Sequence, residues 1–474
     1  MAGIRTNSPT NKGLAGDLFV ELRRDGTTPL HRQIAASIRD GIRCGRLRLG
    51  ASLPPTRVVA ADLGVSRGVV VEAYQQLVAE GYLTSRTGGY TQVAAGAAPT
   101  GTPARPDRGE LPRIDFGYGR ADVVHFPRAA WLRSIRRVLT ETPNERFGYL
   151  SGPGVPELRE ALADYLNRVR GTAARPENIL ICNGFAQGIA LLVQVLATRG
   201  AKRLAVEDPS SDDDARPLAA AAGLDVTGIP VGPDGIDVDA LERTDADAVI
   251  LTPSHQWPTG GVLPPESRAR ALHWARGRAA LIVEDDYDAE YRYDRSPIGA
   301  IQGLAPDQVV YAGTASKTLA PGLRIGWLVV PPSLVDELSE AKIIADRGSP
   351  ALDQLTFADF LAHGEFDRHL RRMRPVYRRR RDVLLAALGD RLPDLRPAGV
   401  AAGLHLVTWL PPDLDEAAVV AAAARRGLGV YGVTPYRLAP TADGGLIFGY
   451  SALNEAAIRE GIAELAEVVA SLRA

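Results

Sequence analysis

Short apolar runs alternate with longer amphipathic stretches from about residue 114 to the end of the chain. Each run is about four residues long, and a turn or a helix signal follows it. Strand-like runs separated by helical stretches are typical of a mainly parallel β-sheet that helices cover on both faces. Because ligands in such sheets collect at the carboxyl ends of the strands, the polar residues that follow the runs are the candidates for a functional site. The runs are 178–181, 203–206, 248–251, 280–283, 309–312 and 327–330.

The first hundred residues have a different pattern. Apolar residues recur every four positions from Leu30 to Ile42, which is the spacing of one face of a helix. A second short helix ends at Gly64, and Ser66 is placed to cap a third. Residues 82–93 predict two short strands around a Gly-Gly turn. The order helix, turn, helix and two-stranded wing is typical of a winged helix-turn-helix.

A composition shift separates the two patterns. Residues 94–113 are rich in Ala, Gly, Pro and Thr and have no periodicity, which predicts a linker. The sequence therefore predicts a winged helix at 15–93, the linker at 94–113 and an α/β domain at 114–474.

Composition limits the classes of function. With 474 residues, 45% apolar and 23% charged, the chain is expected to fold as a soluble protein of more than one domain. The net charge of −1 argues against a uniformly basic surface, but residues 15–93 hold ten arginines against seven acidic residues. The two cysteines and seven histidines lack disulfide or metal-ligand spacing, so no metal is expected. No signal-peptide-like or membrane-spanning run is evident, and a cytoplasmic location is expected.

Almost all of the basic residues are arginines, and Lys317 is one of only four lysines. Arginine keeps its proton, whereas a lysine amine can lose it and form a Schiff base with an aldehyde. Lys317 follows the run 309–312 and lies among hydroxyls, glycines and Arg324. Its spacing from Thr314 also resembles the S-x-x-K signature of acyl-transfer enzymes, but the nucleophile would be a threonine and no partner motif is evident. Covalent aldehyde chemistry is the better interpretation.

Pyridoxal 5′-phosphate (PLP) requires an amine, an anion at the pyridine nitrogen, a donor to the ring oxygen and a cradle for the phosphate. Lys317 supplies the amine. Asp285 and Tyr287 follow the run 280–283 and are placed to serve the ring. A helix that begins within 183–187 after a strand offers N–H groups and its dipole to an anion.

The winged helix predicts double-stranded DNA as a partner, with a small protein-interaction module as the alternative. Ser66 and Arg67 would present backbone N–H groups and a guanidinium to DNA at the start of the third helix. Arg57 and Arg86 are expected to contact phosphates, and Gly88 lies in the turn of the wing.

Two sets of segments resemble known families. LPPTR, LGVSRGVVVEAYQQLVAEGYL and the Gly-Gly wing resemble the GntR-type winged helix of bacterial repressors over 28–93. PSHQWPTGG, VEDDYDAEYRYD and YAGTASKTLAPGLRIGW resemble the MocR-type regulators, which fuse that winged helix to a fold-type-I aminotransferase-like domain. The resemblance implies this α/β fold with a small C-terminal α+β subdomain, and it implies PLP as the cofactor.

The resemblance also implies roles for individual residues. Lys317 would form the internal aldimine, Asp285 would lie at the pyridine nitrogen, and Tyr287 at the ring oxygen. Tyr149 matches a tyrosine that reaches the phosphate from the partner subunit, which implies a head-to-tail homodimer with composite sites. The implied phosphate shell is Ala186, Gln187, Thr314, Ser316 and Arg324.

The chain departs from the pattern of working aminotransferases at three points. Ser210 and Ser211 stand where an aromatic residue often stacks on the ring, and Trp257 stands where aminotransferases use asparagine. The usual carboxylate-binding arginine near the C terminus is not obvious, and Arg437 is the remaining candidate. Cofactor binding is thus better supported than recognition of an amino-acid substrate.

Two functions follow as hypotheses. In the first, a transcription regulator senses PLP or an amino compound through the Lys317 aldimine and controls DNA binding, with vitamin B6 genes as candidate targets and no turnover in the cell. The alternative is an active aminotransferase with an autoregulatory DNA-binding module.

Overall fold

The computed structural model describes residues 22, 24, 27–43, 45–85, 90–94, 111–150, 152–210, 215–293, 298–439 and 443–474. The chain divides into two compact units, Met1–Glu110 and Leu111–Ala474.

Among its described residues, the first unit contains three helices and a two-stranded antiparallel sheet. Ile34 and Ile38 are fully buried against Leu77, because the four-residue spacing places one apolar face of the first helix towards the third. Gly64 ends the second helix at φ 61°, a left-handed conformation that glycine adopts without strain. Ser66 precedes the third helix, as predicted, but its side chain makes no capping hydrogen bond. The elements are α1 (Leu30–Arg43), α2 (Thr56–Leu63), α3 (Arg67–Ala79), β1 (Leu83–Ser85) and β2 (Thr91–Val93).

The second unit is built on an eight-stranded sheet with helices on both faces and a smaller C-terminal sheet. Its strands are β3 (Ile114–Asp115), β4 (Ile179–Cys182), β5 (Arg203–Asp208), β6 (Asp225–Gly232), β7 (Gly235–Ile236), β8 (Ala248–Leu251), β9 (Leu281–Asp285), β10 (Val309–Thr314), β11 (Gly326–Val329), β12 (Arg396–Ala398), β13 (His405–Trp409), β14 (Leu428–Gly429), β15 (Tyr431–Gly432) and β16 (Gly445–Gly449). Its helices are α4 (Arg128–Glu141), α5 (Pro156–Arg170), α6 (Phe185–Thr198), α7 (Ala215–Ala221), α8 (Val238–Glu242), α9 (Pro265–Arg278), α10 (Val335–Asp346), α11 (Ala351–Ala362), α12 (Glu365–Arg391), α13 (Glu416–Arg425) and α14 (Glu455–Arg473).

The large sheet has the strand order β4-β11-β10-β9-β8-β5-β6-β7. Strands β10, β9, β8, β5 and β6 pair in parallel. The run 327–330 forms β11, which is antiparallel to both of its neighbours and so departs from the parallel series that its composition suggested. The reason is the short connection from β10, residues 315–325, which contains no crossover helix. The chain therefore turns back beside the strand that it has just left.

The C-terminal part forms a four-stranded antiparallel sheet of order β12-β13-β16-β15, together with α12, α13 and α14. In the part of the chain that the structure describes, no helix combines the length and the apolar character needed to cross a membrane.

Candidate functional site

A cavity of about 320 Å³ lies at the carboxyl ends of the parallel strands. Strands β5, β9 and β10 end at its wall, and α6 and β11 begin there. Most of the predicted cofactor residues come together in this cavity although they are widely separated in sequence. Its lining includes Ala186, Asp285, Tyr287, Thr314, Ser316, Lys317 and Arg324.

Lys317 follows the end of β10, and its amine lines the cavity. The Nζ atom donates a hydrogen bond to the backbone oxygen of Gly119 at 2.8 Å. Gly119 has φ +66°, and a Cβ atom there would stand only 2.8 Å from Nζ. The left-handed backbone conformation favours glycine at position 119, and a larger residue there would displace the lysine amine from its present position.

The end of the cavity at the start of α6 is suited to hold an anion. Gly184 precedes α6 with φ +80°, and a Cβ there would lie 2.6 Å from Nη2 of Arg324. Arg324, itself left-handed at φ 51°, donates from Nη2 to the backbone oxygen of Asn183 at 2.7 Å. The guanidinium is thus held beside the first turn of α6, where backbone N–H groups also favour negative charge.

Hydroxyl groups line the same end. Thr314 Oγ1 donates to the backbone oxygen of Ile325 and accepts from the backbone N–H of Ser316. The Oγ atom of Ser316 is buried and has no hydrogen-bond partner among the described residues. Buried hydroxyls normally have a hydrogen-bond partner. The Ser316 hydroxyl could therefore donate to a phosphate oxygen bound in the cavity.

Tyr287 and Asp285 also line the cavity. Asp285 is the last residue of β9, and Tyr287 follows the strand. The Tyr287 hydroxyl donates to the backbone oxygen of His255 at 3.0 Å, and it lies 3.2 Å from His255 Nδ1. Burial, together with the carboxylates of Asp288 and Asp285, raises the pKa of Tyr287 well above its usual value. The phenol therefore remains protonated.

His255, Asp288 and His405 form a buried group that the sequence analysis missed. Both carboxylate oxygens of Asp288 lie 3.1 Å from His255 Nδ1, and His405 Nε2 lies 3.1 Å from the backbone oxygen of Pro258. Burial and the neighbouring His255 lower the pKa of His405 to about 4. The ligand atoms of the three residues lie within 4.8 Å of one another, and each histidine has a hydrogen-bond partner within the protein. His255 falls within PSHQWPTGG, which is the one signal that could have found it.

Aromatic rings cover part of the cavity, and the sequence pattern did not predict this. Trp257 lies edge-on to Tyr436 with ring centroids 4.6 Å apart, and its centroid is 5.3 Å from that of Tyr118. The hydroxyls of Tyr118 and Tyr436 are hydrogen-bonded to each other. Trp257 therefore packs in an aromatic cluster with Tyr118 and Tyr436.

Three of the predicted site residues, Gln187, Tyr149 and Arg437, do not line this cavity. The Gln187 side chain contacts Lys342 and Asp346 instead. Tyr149 is 98% exposed, and Arg437 lies over the Trp409 ring in a separate cleft.

The predicted DNA-contacting residues belong to the first unit. Arg57, Ser66 and Arg67 are exposed. Arg86 and Gly88 lie outside the described residues, as does Ser211 of the second unit. The roles of all these residues stay predictions.

Glu207 is a further site residue that the sequence analysis missed, and its burial predicts how the stability of the protein depends on pH. Its buried carboxylate lines the cavity, and burial raises its pKa from 4.5 to about 7 despite hydrogen bonds from Thr252 and Gln256. Because the pKa of Glu207 is raised in the folded state, protonated Glu207 does not reduce the free energy of unfolding below pH 4.5. Stability then falls as the pH rises through about 7 and the buried carboxyl group ionises. Glu207→Gln should reduce the loss of unfolding free energy between pH 5 and pH 8 by up to about 3 kcal/mol.

The measurement is chemical denaturation of both proteins at the two pH values. Glu284 and Glu290 also have pKa values raised to about 7 by burial, so part of the pH dependence should remain. An unchanged difference between pH 5 and pH 8 in Glu207→Gln would contradict the prediction.

Comparison with known proteins matches both units. The model of the family "Aminotransferase class I and II" matches residues 114–461, and that of "Bacterial regulatory proteins, gntR family" matches 30–93. The probable rhizopine catabolism regulatory protein MocR of Rhizobium meliloti is 34% identical and covers 94% of each chain. The pyridoxine biosynthesis regulator PdxR of Corynebacterium glutamicum is 31% identical and covers 96% of this chain and 99% of its own.

Among solved structures, the α-aminoadipate aminotransferase LysN of Thermus thermophilus, complexed with N-(5′-phosphopyridoxyl)-L-leucine, matches with a TM-score of 0.69. It is 28% identical over 76% of this chain and 92% of its own.

Proposed function

The chain belongs to the family of MocR-type transcription regulators, which carry a GntR-type DNA-binding domain and an aminotransferase-like domain, and we propose that it is a PLP-responsive regulator of this kind. The predicted family and fold class are confirmed by the two family matches and by the fold-type-I neighbours.

PLP is the cofactor of the second unit. The match to the aminotransferase family and the similarity to LysN, which is complexed with a phosphopyridoxyl compound, confirm this prediction. The residues present fit it, since the cavity combines an amine, an anion cradle with an orphaned hydroxyl, a carboxylate and a protonated phenol. Bound PLP supplies an aldehyde for covalent attachment and a ring that accepts electrons. In the proposed arrangement Lys317 would supply the amine for covalent attachment, Asp285 would hold the pyridine nitrogen, and Ser316 and Arg324 would hold the phosphate.

The observation that carries the sensing role is the charge distribution of the cavity. Within the described lining, Lys317 and Arg324 are the basic lysine and arginine side chains, and the proposed arrangement uses both for the cofactor. Arg437, the candidate for a substrate carboxylate, lies in a different cleft. A buried carboxylate requires a cation or several donors, so amino-acid turnover is poorly served. We therefore favour PLP itself as the effector, and the similarity to PdxR supports vitamin B6 genes as targets.

The exposed apolar side chains of the second unit favour a homodimer. Val124, Leu132, Leu139 and Ile344 are each more than half exposed, and a second copy that covered them would remove their apolar surface from water. Tyr149 is almost fully exposed, as expected for a residue that completes the partner's phosphate site. A head-to-tail dimer would give two composite sites and two winged helices, and it would fix the spacing of the DNA half-sites.

The test is DNA binding of the purified protein to the region upstream of its own gene, measured with PLP, with 4′-deoxypyridoxine 5′-phosphate, or with neither. The analogue keeps the ring and the phosphate but has no aldehyde. PLP should change the affinity or the footprint, and the analogue should not. Absence of sequence-specific binding under all three conditions would refute the regulator.

An active aminotransferase is the second candidate, because Lys317 and Asp285 share one cavity and the fold matches LysN. It predicts many turnovers between an amino acid and a keto acid. The regulator predicts at most one transfer per site.

A further inference from the structure

A buried lysine that the proposed function does not use lies behind the phosphate end of the site. Lys342, on α10, has no exposed surface. Its Nζ atom lies 2.6 Å from Asp346 Oδ2, 3.0 Å from Ser349 Oγ and 3.1 Å from Gln187 Oε1. An ammonium can be buried only when each of its donors has a partner, and here all three do. The chain thus maintains a costly buried charge at this position.

The same contacts continue to the start of α6. Gln187 Nε2 donates to Asp346 Oδ2 at 2.7 Å, and Gln187 Oε1 accepts from the backbone N–H of Asn183 at 2.8 Å. Asn183 Nδ2 donates to the same Asp346 oxygen at 3.2 Å. Burial acts to raise the pKa of Asp346, but hydrogen bonds from Lys342, Gln187 and Gly348 lower it below its usual value. The carboxylate therefore stays ionised within a closed set of donors.

Asn183 connects this cluster to the anion cradle. Its side chain and its N–H are held by Asp346 and Gln187, while its carbonyl oxygen accepts from Arg324 at 2.7 Å. Ala186, one residue before Gln187, lines the cavity. The N–H groups at the start of α6 and the Arg324 guanidinium thus depend on one short segment for their position.

We propose that Lys342, Asp346 and Gln187 are positioning residues that hold the start of α6 and Arg324 in the geometry that binds the cofactor's phosphate. The inference rests on the proposed function, because it assumes PLP in the cavity. It also changes the predicted role of Gln187, whose side chain braces the phosphate cradle from behind.

The cluster should act on the phosphate and not on the ring. Asp285 and Tyr287 extend from β9, and Lys317 follows β10. The hydrogen bonds of the cluster run to α6, α10 and the turn after α10. Loosening the cluster is therefore expected to weaken phosphate binding and to leave attachment of the aldehyde largely intact.

The experiment compares PLP with pyridoxal, which has the same ring and aldehyde but no phosphate. Dissociation constants are measured from visible absorption for the wild type, Lys342→Met and Gln187→Met. PLP affinity should fall about tenfold in each variant, the lower end of what outer-shell substitutions cost at bound ions. Pyridoxal affinity should change less than twofold. Lys202→Met, at an exposed lysine, is the matched control and should change neither.

The double variant adds a second test. Because the two side chains act as one unit, their combined effect on PLP affinity should be smaller than the product of the single effects. Equal losses for PLP and pyridoxal, or no loss for PLP, would overturn the proposal. If Lys342→Met does not fold, the neutral Gln187→Met substitution alone decides the outcome. A wild-type protein that binds neither compound would instead refute the cofactor function.

Discussion

Replacing Lys317 with alanine is expected to abolish covalent attachment of PLP and the visible absorption that it produces. Among the described lining residues Lys317 carries the only amine, and its Nζ atom is held by the carbonyl of Gly119 inside the cavity. PLP would still bind through its phosphate and ring contacts, but without the covalent bond. The response of DNA binding to PLP should disappear with it.

Borohydride reduction followed by mass measurement provides the direct readout. The wild type should gain the mass of one reduced cofactor per chain, and Lys317→Ala should gain none. Lys202→Ala removes an exposed lysine and should behave as the wild type. Retained mass gain in Lys317→Ala would show that another amine forms the bond. DNA binding that still responds to PLP would separate sensing from covalent attachment.

Replacing Arg67 with glutamate is expected to weaken specific DNA binding by roughly tenfold to a hundredfold, since one side chain that contacts a base edge contributes about 1–3 kcal/mol. Arg67 is exposed at the first position of α3. Reversing its charge removes a guanidinium and places a carboxylate against the DNA. Because the substitution removes one positive charge from the surface that faces the DNA, the slope of log affinity against log salt should also become shallower by about one.

The matched control reverses the charge of Arg278, an exposed arginine at the end of α9 in the second unit. Arg278→Glu changes the net charge by the same amount and should leave DNA affinity within about twofold, because it lies outside the winged helix. Visible absorption of bound PLP should be normal in both variants. Equal losses of affinity in the two would indicate a general charge effect and would argue against α3 as the recognition helix.

The ring end of the site was accessible from sequence because of the strand pattern. Asp285 and Lys317 are 32 positions apart, yet each comes at or just after the end of a parallel strand. Since neighbouring parallel strands end at one edge of a sheet, the pattern alone predicts that the two side chains meet. The resemblance of the segment VEDDYDAEYRYD to MocR-type regulators then indicates that these residues hold PLP.

Side-chain direction could not be predicted in the same way. Gln187 lies at the start of α6, where a phosphate ligand is expected, but its amide contacts Lys342, 155 positions later in the chain. Tyr118 and Tyr436 are 318 positions apart and neither belongs to a periodic run, so no local signal indicates that they meet over the cavity. Such contacts depend on tertiary packing of loops, which carries no regular spacing.

The near absence of lysine makes occupancy of the site readable from a peptide map. A protease that cuts after lysine would cleave this chain only after Lys12, Lys202, Lys317 and Lys342. Reduction of the cofactor onto Lys317 blocks one of these four cuts and leaves an undivided fragment, 203–342. The ratio of that fragment to its two cleavage products, 203–317 and 318–342, would then measure the fraction of chains carrying PLP, even in an unpurified extract.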